Sequence, residues 1–181
     1  AEHPWPRVQR LWLGCAMAAG AAFVAAVAFA YSAETIVSWN TAYVPINLVL
    51  NALVGGPILA IAGLRAAGVD MRAGRIGRVL ASVAAVALVA NTVTFCLQGA
   101  ELGSIENSFV TAAQLVPFWG PMVGAFAVLG AAGVVVDGIA LWRGARLSLA
   151  CAAGATVLVL AGIFVMRFAF YMMHMTVGLG M

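Results

Sequence analysis

Charge is what this sequence has least of. Only 8% of its 181 residues are charged and 65% are hydrophobic, with a mean hydropathy of +1.07. Water-soluble domains carry about 25% charged residues, so a soluble fold is excluded and the chain reads as an integral membrane protein. Lysine is missing altogether: the nine basic residues are all arginine, against six acids. The net charge of +3 says little about partners, and no nucleic acid is expected among them. Paired cysteines are missing too. Cys15, Cys96 and Cys151 stand singly in apolar runs with no C-x-x-C spacing, and read as small hydrophobes rather than cluster ligands or disulfides. Histidine occurs only as His3 and His174. A bis-histidine haem needs its ligands on facing helices, and the topology derived below sets these two on opposite sides of the membrane. No phosphate loop, nucleophile motif, dinucleotide fingerprint or metal cluster is present, so no cofactor is expected to be bound by this chain.

What is there is a series of apolar runs. They predict an all-α bundle forming a single domain over 1–181, with five transmembrane helices at about 11–31, 43–64, 79–97, 122–142 and 147–174. The first competes with a secretory signal, because Arg7 and Arg10 precede it and Ala28-Phe29-Ala30 resembles a cleavage site. Its apolar run is longer than an h-region of about 7–15 residues, so it is read as a span. The second carries Asn47 and Asn51 four apart, expected to face the bundle as interhelical hydrogen-bonding groups, and Pro57, expected to kink it. The third has Asn91, Thr94 and Gln98 on one face. Between the third and fourth spans, Ile105, Phe109, Ala112 and Val116 recur at helical spacing and predict a short interfacial helix over about 104–116. Asp137, near Arg143, is expected to snorkel or pair.

The arginines set the orientation. Arg7 and Arg10 precede the first span, four lie within 65–78, and Arg143 and Arg146 join the last two spans. The alternate loops hold Glu34, Glu101 and Glu106 and no arginine. The positive-inside rule then places the amino end in the cytoplasm and the carboxyl end outside.

The ninth arginine, Arg167, lies inside the last span, with Tyr171 and His174 following at i+4 and i+7. That spacing puts guanidinium, phenol and imidazole on one stripe. An arginine at membrane depth usually faces a protein interior or a wet cavity, so the stripe suits a polar head group on a greasy molecule. Singly, the three could equally be a snorkelling arginine, an interfacial tyrosine and a structural histidine. A small transporter or channel, its path lined by the Pro57 kink with Asn47 and Asn51, is the rival reading.

Arg167–Gly178, reading R-F-A-F-Y-M-M-H-M-T-V-G, resembles the carboxyl-terminal signature of the membrane anchor subunit of dimethyl sulfoxide reductases. Gly55-Gly56-Pro57, Gln98-Gly99-Ala100-Glu101-Leu102 and Ala112-Ala113-Gln114-Leu115-Val116-Pro117 resemble it in the same order. The resemblance implies a haem-free anchor that oxidises menaquinol and holds an iron–sulfur subunit and a molybdopterin catalytic subunit, which carry the cofactors, on the inner membrane. It covers the last five of that family's eight helices, so the chain is expected to be the carboxyl-terminal part of a larger anchor. The family's quinol-linked histidine and glutamate lie in the earlier helices. On this reading Arg167, Tyr171 and His174 would bind quinol, with His174 or Tyr171 accepting a proton. Arg167 could pair with Glu101, while Gln98 and Glu101 would form a partner-docking surface. A structural tether without quinol chemistry is the third reading.

Overall fold

The computed structural model describes residues 6–32, 34–71, 75–144 and 146–176; His3 lies outside them. Five long helices dominate: α1 (Pro6–Tyr31), α2 (Tyr43–Ala66), α3 (Arg75–Glu101), α5 (Trp119–Trp142) and α6 (Leu149–Met172), with a single turn, α4 (Ala112–Leu115), between α3 and α5. All five long helices are apolar and long enough to cross a membrane. The shortest have 24 residues, or about 36 Å at 1.5 Å per residue, against a hydrocarbon core of about 30 Å. Exposed Val86, Val128 and Phe164 are therefore lipid-facing positions. This is a multi-pass membrane protein.

The helices outrun the apolar segments that announced them. α3 begins at Arg75 and ends at Glu101, so Gln98 and Glu101 belong to its last turn and not to a loop. α6 stops at Met172, two residues early, and His174 lies beyond it. The expected helix over 104–116 contracts to α4. Asn107 prevents the rest: its side-chain oxygen accepts from the backbone N–H of Phe109 and Val110, a local turn that competes with helix. α2 runs through Pro57 without ending.

α5 and α6 share the most extensive interface, followed by α2 with α3. Small residues let them approach: a Cβ on Gly133 would sit 2.5 Å from the Ala155 carbonyl oxygen. Phe126, Ile58, Val54 and Met166 fill the centre. α1 is different. It packs mainly on α2, and only 6% of its span is buried.

The two ends of the bundle differ in chemistry. At one, the Arg78 guanidinium lies 5.8 Å from the centre of the Trp142 ring, so the start of α3 meets the end of α5. At the other, the Tyr43 hydroxyl donates to Glu101 at 2.8 Å, the Trp119 indole N–H donates to the Phe95 carbonyl at 3.0 Å, and Tyr31 meets Tyr171. Here the carboxyl-terminal segment is tied down. Ser38 donates to the Met173 carbonyl and accepts from the Met175 N–H, and Asn107 donates to the Thr176 carbonyl.

Candidate functional site

The spacing of Arg167 and Tyr171 turns both toward one cleft of about 670 Å³ between α1, α2 and α6. Its walls are apolar, from Phe23 and Val27 on α1 to Leu59 and Leu160 opposite. Gly56, where a Cβ would meet nothing within 4 Å, leaves it open at mid-helix. Polar groups converge at the end nearest the α1–α6 contact: Arg167, Tyr171, Tyr31 and, from α2, Asn51.

Arg167 is half-buried, five residues before the end of α6, or about 8 Å inside it. Its guanidinium lies 5.7 Å from the centre of the Phe170 ring, a cation–π contact. Glu101, its expected partner, is instead engaged by Tyr43. The Tyr171 and Tyr31 hydroxyls are 2.7 Å apart and share a hydrogen bond across the cleft mouth. Around them Trp39 stacks on Phe170 with ring centres 4.7 Å apart and donates its indole N–H to the Phe170 carbonyl at 3.1 Å.

His174 is not one of the cleft residues. Because α6 ends at Met172, its position is no longer set by helical spacing, and its ring sits edge-on to Trp39 at 5.0 Å. Gln98 is also displaced from its expected place. At 3% exposure it is a bundle residue, accepting from Asn47 at 2.8 Å, and burial removes it from any docking surface. Glu101 is exposed at the end of α3. Asp137, expected to snorkel or pair, is fully buried, and neither carboxylate oxygen has a hydrogen-bond partner among the described residues.

The asparagines do what their spacing suggested. Asn47 bonds Gln98, and Asn91 donates to Asn51 at 2.8 Å, so two amide pairs tie α2 to α3. Tyr31 and Trp39 were not singled out by the sequence. Tyr31 looks like the last residue of an apolar run and Trp39 like a loop aromatic; their roles rest on contacts with α6 131–140 residues away. Chemically, the cleft offers one cation and two phenols at the end of an apolar groove, which suits a hydrogen-bonding ring carrying a hydrocarbon tail. Among the described residues, no group of three or more His, Cys, Asp or Glu could hold a metal ion.

The family model for the DMSO reductase anchor subunit (DmsC) matches residues 5–173. The sequence is 33% identical over 180 residues to the C subunit of the anaerobic dimethyl sulfoxide reductase of Escherichia coli (strain K12), covering 96% of this protein and 60% of that one. It is 34% identical over 170 residues to the anaerobic dimethyl sulfoxide reductase subunit YnfH of the same organism, covering 94% and 58%. The chain thus spans about three fifths of the length of these curated relatives. No solved structure matches it.

Proposed function

The chain belongs to the DMSO reductase anchor subunit family, and on that premise we propose that it brings electrons from menaquinol in the membrane to an iron–sulfur subunit. That subunit would pass them to a molybdopterin catalytic subunit. The supporting observation is the convergence of Arg167, Tyr171 and Tyr31 on one open apolar cleft among membrane-spanning helices. The isoprenoid tail would lie along Phe23, Val27 and Leu160, and the head group would reach the polar end. Arg167 would hold a quinol oxygen by charge-assisted hydrogen bonds, with the tyrosine hydroxyls orienting the ring. Oxidation would release two electrons and two protons; the electrons would pass to the partner's cluster, one proton to Tyr171 and the other to water at the cleft mouth. Tyr171, through Tyr31 or the nearby His174, would accept a proton at its hydroxyl as it donates its own onward.

The protein would lie in the inner membrane with its amino end cytoplasmic, and exposed Glu101, Ser104 and Glu106 at the outer end would meet the partner. In an assembled complex, Arg167→Ala should lower kcat/KM for menaquinol by about 10–100-fold, the worth of a lost hydrogen bond to a charged group. Unchanged turnover removes Arg167 from the site. The rival reading is a structural tether without quinol chemistry. It would be selected by co-purification with an iron–sulfur protein without binding of a quinol analogue.

A further inference from the structure

On the bundle side of Arg167 lies a second, much smaller cavity of about 20 Å³. Asn47, Asn51, Gln98 and Arg167 line it, with apolar walls from Val44 and Phe95. Arg167, Asn51 and Leu48 also line the large cleft, so they form the partition between the two spaces. A water molecule needs about 10–15 Å³ of such volume and two to four polar partners. This cavity provides both.

The hydrogen bonds already made leave donors over. The Gln98 oxygen accepts from Asn47, but the Gln98 N–H meets only the Met173 sulfur, a weak acceptor, at 3.8 Å. The Asn47 and Asn51 oxygens accept one bond each, from Thr94 and Asn91, and keep a second lone pair. The guanidinium has five N–H groups and forms no ion pair among the described residues. The three amides are 93–97% buried, where an unmet donor is costly.

We propose that this cavity binds one ordered water, which accepts from Arg167 and Gln98, donates to the oxygens of Asn47 or Asn51, and so fixes the guanidinium in the wall of the cleft. Asn47, Gln98 and the water act as positioning groups; neither amide lines the large cleft, and none of the three touches the quinol. Only the consequence for quinol rests on the proposed function, because occupancy by water is a property of the protein without substrate.

Two measurements test the proposal in the intact complex. A high-resolution map without quinol should show a density peak within hydrogen-bonding distance of the guanidinium and of two amides; a clean void there overturns it. Val44→Ile pushes a methyl group toward the same space. If water is displaced, Tm falls by a few degrees because buried donors lose their partner; a rise in Tm, as for filling a dry void, overturns the proposal. For the positioning role, Gln98→Met keeps the shape and removes one partner of the water. It should raise KM for menaquinol several-fold with kcat little changed, and an unchanged KM overturns that role. Failure of Arg167→Ala to affect turnover would discard the quinol reading and leave the water site standing.

Discussion

Arg167 and Asp137 both sit inside spanning helices of this bundle and meet opposite environments. Arg167 borders a cleft and carries its charge beside an aromatic ring and two hydroxyls. Asp137 sits five residues before the end of α5 with 0% exposure and, among the described residues, no partner for either oxygen. Its side chain is too short to span the roughly 8 Å to the helix end, which is why the expected snorkelling fails. An unpaired buried carboxylate is costly, so Asp137→Asn, of equal shape and without an ionisable group, should raise Tm by a few degrees in a detergent melting assay. A lower Tm would show that the carboxyl makes an interaction worth keeping. Of the residues marking the site, Arg167 and Tyr171 were legible because i and i+4 share a helix face. Tyr31 was not, because nothing local distinguishes a tyrosine that ends an apolar run from one that crosses to another helix. His174 was misplaced for a simpler reason: periodicity cannot see where a helix stops.

At the level of elements, helix–helix distance is set by glycine. α5 and α6 approach so closely at Gly133 that any side chain would press on the backbone of Ala155. Gly138, one and a half turns on, has nothing within 4 Å. Gly133→Ala should therefore cost about 1–3 kcal/mol through overpacking, while Gly138→Ala should be neutral or stabilising by up to about 1 kcal/mol from helix propensity. Steric-trap or denaturant unfolding of the pair separates the two effects; equal behaviour would mean that α5 and α6 do not meet there. Gly99 has a related reason, since a Cβ would lie 2.5 Å from the Trp119 indole nitrogen, whose N–H closes on Phe95. The sequence did carry the inward face of α3. Asn91, Thr94 and Gln98 at i, i+3 and i+7 form one polar stripe, and that stripe faces α2. Placing Gln98 on a docking surface set aside its own periodicity in favour of its nearness to the helix end. The shortening of the expected helix over 104–116 to α4 shows the converse, where apolar spacing was present but the Asn107 side chain holds the backbone of Phe109 and Val110 in a turn.

Across the whole molecule, hydropathy gave the number of spans because length and apolar content decide membrane crossing by themselves. The arrangement of the spans was not legible, since every face of an apolar helix looks alike in lipid. The structure gathers Arg78 and Arg143 at one end of the bundle and Glu101 at the other. Orientation can be measured directly. In a variant with Cys15, Cys96 and Cys151 replaced, a membrane-impermeant maleimide added to intact cells should label Ser104→Cys and leave Ala67→Cys untouched; the opposite pattern would invert the proposed topology. α1 is the loosely held member, joined to α6 at its end through Tyr31, whose hydroxyl meets Tyr171 and whose ring sits edge-on to Phe170. In detergent its amides should exchange with solvent faster than those of α5 and α6, by mass spectrometry, and Tyr31→Phe should speed them further. Equal protection throughout would show that α1 is part of the rigid body.

The amide pairs between α2 and α3 bear on how such a bundle can move. Asn47 with Gln98 and Asn51 with Asn91 are two rungs on antiparallel helices, about one turn apart on α2 and about two turns apart on α3. Sliding either helix by a single turn would shear both rungs at once and strand four amide groups in hydrocarbon. The α2–α3 pair thus resists axial travel and holds the α2 wall of the cleft in register, while the sparsely buried α1 lies against it as the less constrained wall.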